Sequence, residues 1–446
     1  MAAAFLALGL VPDQAPGADH RPDLVVIVVD DLGYADCGFQ GGRDIPTPHI
    51  DALASSGVVC TNAYATGAVC SPSRASLLTA RYPSRDGVRD WIRTGGPGLD
   101  VAVPTIPAYL HGVGYRTALV GKWHLGERSA EHPLVRGFDE FFGILGGGRS
   151  YWPDPPGHRP PVGSIMQRGD QPAPVTSYLT RALADEAVAF LRGHGPADGP
   201  IFLHLAFNAV HTPMEAEDGT LMRFAAMTDR GRATYAAMLT AVDDAVGAVM
   251  DALRERGTRD RTVVIFTSDN GGPILRNAPN HASNGILRGG KGETWEGGIR
   301  VPMVFSWPGR LPPGRFDQPI SHLDLGVTAL SLAGTTALPA WPLDGVDLLP
   351  HLTGVRRAPP HDTLYWSHGR QWAIRHGNLK VACAAVEKSS QVGTIGLYDL
   401  ASDPGETRDL SAAQPNVVTD LTRRWEAWRR ATGASDPATA GPIQSR

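Results

Sequence analysis

The run Leu24-Val25-Val26-Ile27-Val28-Val29 constrains this chain more than any other stretch. It is apolar without alternation, and every residue after the first is β-branched. Such a run suits a strand covered on both faces, and strands of that kind belong to parallel sheets with helices on either side. Thr117–Val120, Ile201–Phe207 and Thr262–Ser268 repeat the pattern, and Val301–Ser306 predicts a further strand. Between them lie helical patterns: a short one over Thr47–Ser56, and one over Ser177–Arg192 with Leu179, Leu183, Ala187 and Leu191 at i+4 spacing. A long one, traced by Tyr235, Met238, Val242, Val246 and Leu253, ends near Gly257. Alternating strands and helices predict an α/β fold, a large mostly parallel sheet flanked by helices.

Polar residues follow each of the four buried runs: Asp30 and Asp31, Lys122 and His124, His211, and Asp269 and Asn270. In open α/β sheets, ligand crevices form beyond the carboxyl ends of the strands. One polar exit means little; four predict a shared cleft. Singly, each has a plainer reading: a solvated turn for Asp-Asp, surface loop chemistry for Lys-x-His. His204, inside its strand, reads as a core histidine. Asp30, Asp31, Asp269 and Asn270 make an all-oxygen set, which favours a hard divalent cation, Ca²⁺ or Mg²⁺, over zinc.

Within Cys70-Ser71-Pro72-Ser73-Arg74, Ser71 suits an N-cap and Pro72 the first helical position. This predicts a helix through Thr79 with Cys70 just ahead of its N-terminus, where unpaired N–H groups favour negative charge. Arg74 in the first turn is unfavourable unless an anion is bound there. A cysteine so placed is a candidate nucleophile or its precursor, or else a small buried hydrophobe.

Cys70 to Thr79 closely resembles the sulfatase signature Cys-x-Pro-Ser-Arg-x-x-x-Leu-Thr-Gly, with Ala80 standing where the pattern has Gly. Gly114 to Gly126 resembles a second signature, Gly-Tyr-x-Thr-x-x-x-Gly-Lys-Trp-His-Leu-Gly, without departure. Leu287-Arg288-Gly289-Gly290-Lys291-Gly292 is similar to the loop that supplies a sulfate-binding lysine, and it lacks Walker spacing. Leu397–Leu400 and Asp403–Glu406 resemble the C-terminal signature, with Asp403 and Glu406 read as turn and cap residues. The family is that of the type I, formylglycine-dependent sulfatases of the alkaline-phosphatase-like superfamily.

That resemblance implies that a formylglycine-generating enzyme oxidises Cys70 to formylglycine, whose hydrated aldehyde attacks sulfur. It implies Arg74, Lys122, His124, His211 and Lys291 as the other catalytic residues. Lys122 and Lys291 bind sulfate oxygens, His211 with Lys291 protonates the leaving alcohol, and His124 takes the proton of the second hydroxyl. Asp30, Asp31, Asp269, Asn270 and the modified Cys70 hold Ca²⁺, in preference to Mg²⁺. The implied substrate is a sulfate ester. Gly41–Pro48 is similar to bacterial sulfatases that act on polysaccharides, which points to a sulfated carbohydrate, with aryl sulfates in vitro. Two alternatives stand: a phosphodiesterase or phosphonate monoester hydrolase of the same superfamily, and a non-catalytic binder of sulfated glycans with Cys70 left as a thiol.

Composition adds exclusions. A net charge of −4 over 446 residues gives no basic surplus for nucleic acid, and no later apolar run reaches membrane-spanning length. Of the four cysteines, Cys37, Cys60 and Cys383 remain if Cys70 is modified, so at most one bridge can form. Residues 1–21 read as a signal remnant or a frayed end, because Ala2–Val11 is apolar but lacks a basic n-region. Export is the expected location, with the cytoplasm as the alternative. Residues 22–354 are expected to form the catalytic domain and 355–446 a smaller α+β subdomain and tail. There, Thr363–Trp366, Gln371–Arg375 and Lys380–Ala384 predict a small antiparallel sheet, and Pro415–Arg430 a closing helix. Residues 143–174, rich in Gly and Pro, read as an insertion loop, with Tyr151, Trp152, His158 and Arg159 at a substrate entrance or merely on the surface.

Overall fold

In the computed structural model, which describes residues 21–274, 280–383 and 393–439, the first apolar run lies at the centre of a ten-stranded sheet. Its strands are β1 (Asp23–Val29), β2 (Val58–Cys60), β3 (Arg116–Lys122), β4 (Glu140–Ile144) and β5 (Gln167–Arg168). They continue with β6 (Gln171–Pro172), β7 (Ile201–Ala206), β8 (Thr262–Ser268), β9 (Met303–Ser306) and β10 (Gly314–Phe316). Across the sheet the order is β10-β2-β9-β8-β1-β7-β3-β4-β5-β6. The central five, β8, β1, β7, β3 and β4, are parallel, and β9 runs antiparallel to both its neighbours.

Both faces of β1 are covered, which is why its sequence has no polar alternation. Val25, Ile27 and Val29 pack under two long helices, and Leu24, Val26 and Val28 pack on the opposite side, as the strand period requires. Among the helices are α1 (Cys70–Thr79), α2 (Leu179–Gly193), α3 (Arg230–Glu255) and α4 (Leu323–Leu332). α2 and α3 share the first face; Leu77 and Leu78 of α1 and Leu325 and Leu330 of α4 share the second. Each fully buried aliphatic side chain contributes about 1.5–3 kcal/mol.

Two expectations need correction here. The 143–174 segment is not all loop, because β5 and β6 form a short antiparallel hairpin on the edge of β4. The pairing of Phe142 with Arg168 satisfies edge backbone groups, and the Arg168 guanidinium lies 4.7 Å from the Phe142 ring centre. Helix α1 starts at Cys70 with Val69 as N-cap, not at Pro72 with Ser71 as cap. The Ser71 hydroxyl instead accepts the Ile92 N–H at 2.9 Å, so a tertiary partner has taken the group the cap needed.

The C-terminal sheet is an antiparallel meander of β11 (Thr363–His368), β12 (Gln371–His376), β13 (Leu379–Cys383) and β14 (Ile395–Asp399). Leu364, Trp366 and Ala373 dock it on Tyr64, Trp295 and Ile299. Helix α5 (Pro415–Thr432) covers its other face, stacking Trp425 on Trp372 at 4.5 Å. Glu406 corrects another expectation. It is no cap but a fully buried carboxylate, 2.8 Å from Lys380 Nζ and accepting the Glu296 N–H at 2.7 Å. Asp403 does cap its turn, accepting from the Thr407 and Arg408 N–H groups. All four cysteines are buried and unbridged. Among the described residues no helix is long and apolar enough to cross a membrane. Residues 1–20 and Ala384 lie outside the described residues.

Candidate active site

Register brings the polar strand exits together. Val28 of β1 stands opposite Ala206 of β7 and Thr267 of β8, and Ala206 stands opposite Gly121 of β3, so the four chains leave the sheet at one level. The side chains then meet. Arg74, one turn beyond Cys70 on α1, donates from Nε to Asp269 at 2.9 Å and from a second nitrogen to the Lys122 carbonyl at 3.0 Å. Lys122 Nζ reaches Asp30 at 2.5 Å, and Lys291 Nζ reaches Asp31 at 2.7 Å. Asn270 Nδ2 donates to Asp31 at 2.7 Å, and His211 Nε2 lies 3.7 Å from the same carboxylate. Cys70 is wholly inaccessible, and its thiol lies close enough to bear on the Arg74 guanidinium.

Burial would raise the Asp30 and Asp31 carboxyls. Lys122 beside the first and Lys291 beside the second overcome it and hold both below the ordinary carboxylate range. Burial and the Asp30 charge instead push Asp269 up to about 6, against the pull of Arg74. Burial and Lys291 draw His211 down to about 4; burial, Lys122 and Arg74 draw His124 well below its usual range. Both imidazoles are therefore neutral near pH 7. His204 is buried against Phe202 and drawn down to about 3 by burial, a core histidine as predicted.

Hydrogen bonds fix which nitrogen of each histidine is available. His124 Nε2 lies 3.0 Å from the Ile92 carbonyl and so carries the proton. Its buried Nδ1 has no partner among the described residues. His211 is turned the other way: Nδ1 donates to the Thr212 carbonyl at 2.7 Å, leaving Nε2 toward Asp31.

Several residues that build the site carry no signal in the sequence. The Asp36 carboxylate, fully buried, accepts from Gly33 N, Ser283 N, Tyr235 Oη and Arg232, cross-tying the loop after Asp31 to residues 280–284 and to α3. From that second loop Asn280 Nδ2 donates to the Asp31 and Val210 carbonyls, both at 3.1 Å. His322 bridges Ser73 Oγ at 3.1 Å and Thr267 Oγ1 at 3.2 Å, pinning α1 to β8. Tyr151 is not at an entrance. It is buried, and its hydroxyl donates to the Asn208 and His211 carbonyls from below. Trp152, His158 and Arg159 do not line the cleft that opens on the site, a space of about 460 Å³ beside His124 and His211.

Asp30 Oδ1 and Asn270 Oδ1 are buried and accept nothing from the described residues. Two orphaned oxygens in an all-oxygen set fit a hard cation, and ligand atoms of Asp30, Asp31 and His211 lie within 4.8 Å of one another.

A mostly parallel sheet with this carboxylate-rich, cation-lined edge defines a hydrolase of the alkaline-phosphatase-like class. The Sulfatase family profile matches residues 22–335. N-acetylgalactosamine-6-sulfatase of Canis lupus familiaris is 35% identical over 456 residues, covering 92% of this chain and 85% of that protein. Arylsulfatase A of Homo sapiens is 33% identical over 449 residues, covering 90% and 86%. The solved structure of Ps i-CgsB in complex with k-i-k-neocarrahexaose has a TM-score of 0.84 at 35% identity, covering 94% of each chain. The chain belongs to the sulfatase family and is a sulfuric ester hydrolase. The family uses a metal ion and formylglycine.

Proposed function

We propose that this enzyme hydrolyses a sulfate ester of a carbohydrate, and aryl sulfates in vitro, through formylglycine made from Cys70. The observation that carries this is the convergence of four strand ends on the N-terminal turn of α1, which begins at Cys70. Carbohydrate is supported by relatives named for N-acetylgalactosamine-6-sulfate and by the neocarrahexaose complex. The 22–354 and 355–446 division, maturation by a formylglycine-generating enzyme and an exported location belong to the same reading.

Asp30, Asp31, Asp269, Asn270 and the modified Cys70 would hold Ca²⁺, which supplies Lewis-acid stabilisation of charge on oxygen. Cys70, once converted to formylglycine, would supply the nucleophilic hydroxyl for attack on sulfur. Lys122 and Lys291, paired here with Asp30 and Asp31, are the ammonium groups that would bind the sulfate oxygens were those carboxylates to hold the cation. His211 offers Nε2 to the leaving alcohol, and an anionic ester beside it favours the protonated form. His124, its Nε2–H committed to Ile92, accepts the second hydroxyl's proton at Nδ1.

The test is turnover of an aryl sulfate against an aryl phosphodiester, with the mass of the Cys70 peptide measured in parallel. Release of sulfate, with sulfur replaced by oxygen at position 70, is expected. Preferential phosphodiester cleavage, or an unconverted thiol in active enzyme, would sink the proposal.

A further inference from the structure

His124 is held by more than the loop that carries it. Its backbone lies in the left-handed region at φ 55°, a conformation costly for any residue but Gly, and its N–H donates to the Leu145 carbonyl at 3.0 Å. The buried ring then donates from Nε2 to the Ile92 carbonyl, also at 3.0 Å. Beside that nitrogen lies Gly147, where a Cβ would stand 2.9 Å from both Cε1 and Nε2. A side chain at 147 would therefore displace the imidazole from Ile92.

Ile92 is in turn held from the nucleophile helix. Its N–H donates to Ser71 Oγ at 2.9 Å, and its side chain packs against the apolar cluster that contains Leu77, Leu78 and Trp123. Two main-chain groups of one residue thus join a serine hydroxyl on α1 to the imidazole. Ser71 is wholly buried beside Cys70, at the position the family signature leaves open, so nothing in that signature asks for a hydroxyl there. Loss of the Ser71 bond frees Ile92 to turn, and without the Ile92 carbonyl either ring nitrogen can carry the proton.

We propose that Ser71 is a positioning residue for His124: acting through Ile92, with Gly147 kept bare beside the ring, it fixes the imidazole as the Nε2–H tautomer and leaves Nδ1 as the acceptor. This rests on the sulfatase reading above and names the group that holds one of its proton acceptors. In that reading Nδ1 takes the second hydroxyl's proton, the O–H pair becomes the carbonyl bond, and sulfate leaves with the electrons of the C–O bond that breaks. His211 serves the earlier release of the alcohol, so disorder at His124 falls on sulfate release alone.

The experiment has two arms. In the first, nitrogen-15 histidine spectra near pH 7 are taken of the full chain with Cys70 unconverted, the His124 ring being assigned by the signal lost in His124→Gln. The parent should show a protonated Nε2 and a bare Nδ1. S71A and G147A should each move both nitrogens toward the averaged values of a tautomer mixture, and S71T, which keeps the hydroxyl, should match the parent. In the second arm the matured, cation-loaded enzymes turn over an aryl sulfate, with rates taken per converted position 70 by peptide mass. S71A and G147A should lose about tenfold in kcat with KM falling in step, so that kcat/KM moves by less than about twofold, and should release a burst of phenol before the slowed steady state. S76A deletes a hydroxyl of the same helix that has no partner among the described residues, and should show neither change. Should S71A fail to fold, G147A carries both arms. An unchanged tautomer, or a fall in kcat/KM equal to that in kcat with no burst, overturns the inference while leaving the sulfatase reading intact. If the matured parent cleaves no sulfate ester, the sulfatase reading fails and the role proposed for Ser71 falls with it, whatever the spectra show.

Discussion

Two of the buried ionic clusters among the described residues differ in what their oxygens have left to do. At the seam between the sheets, Glu296 accepts from Lys380 at 3.0 Å and Tyr64 at 2.7 Å, while Glu406 takes Lys380 and the Glu296 N–H. Three of the four carboxylate oxygens of that pair accept a hydrogen bond, and the fourth, Glu406 Oε1, is met by the Lys380 ammonium at 2.8 Å. At the strand exits, Asp30, Asp31 and Asp269 face Arg74, Lys122 and Lys291, yet Asp30 Oδ1, Asn270 Oδ1 and His124 Nδ1 have no partner among the described residues. Unmet lone pairs at no solvent exposure are costly, so a fold that keeps them has kept them for something that binds. Charge and burial do not separate these two clusters; an oxygen left with neither a donor nor a cation, as Asp30 Oδ1 and Asn270 Oδ1 are among the described residues, does.

The largest effect that sharpens this contrast is at Cys70. Cys70→Ala should lower aryl sulfate turnover by about 10⁴-fold or more while leaving the melting temperature within about 2 °C of the parent. Loss of fold instead would make Cys70 a packing residue. At the seam the balance reverses. Lys380→Met strands two buried carboxylates and should cost about 3–5 kcal/mol in denaturant unfolding, with turnover per folded molecule falling less than tenfold. Glu296→Gln/Lys380→Met/Glu406→Gln should recover most of that stability; no neutral replacement at Asp30, Lys122 and Arg74 should recover turnover.

Chelation comes next. Removing a divalent cation held at a hundredfold its dissociation constant should cost about 2.7 kcal/mol and abolish activity, both restored by Ca²⁺. An unchanged melting curve would mean that the orphaned oxygens do not bind one. A smaller effect follows pH. Burial pushes the Glu406 carboxyl up to about 7 from an ordinary 4.5, against the pull of Lys380. The folded state thus binds the proton more tightly than the unfolded chain, so this contribution is complete below about pH 4.5 and is lost as pH rises through about 7. Melting curves of the parent against Glu406→Gln across that window should diverge in that direction and then run parallel.

The smallest effect lies at Ala80, the C-cap of α1, which sits in the left-handed region at φ 55° where the family pattern has Gly. Relief of that conformation in Ala80→Gly is worth about 1 kcal/mol, and loss of the buried methyl costs about 0.8 kcal/mol. The melting temperature should therefore move by less than about 2 °C. A large drop would show that the methyl, whose space Gly326 leaves open, matters more than the backbone.

The strands were legible because covering both faces of β1, β3, β7 and β8 demands apolar runs without alternation, and their exits were legible because polar residues there break the pattern abruptly. The hairpin β5–β6 was not, since two-residue strands are too short to show a period. Glu406 was misread because the partners that make it a buried ion, Glu296 and Lys380, lie far away in sequence. Asp36, Asn280 and His322 act through loop-to-loop hydrogen bonds that no local spacing encodes. The start of α1 was displaced for the same reason, a single bond from Ile92.

Helix α1 is buried along its whole length, with Cys70 sealed beneath its neighbours. No second protein can bring an oxidant to that sulfur once the chain has closed around it. If the conversion proposed above takes place, burial of Cys70 at 0% exposure places it before the chain closes around that sulfur. On that reading a copy that folds first would keep its thiol, and the active fraction of a preparation would record the order of two events in its synthesis.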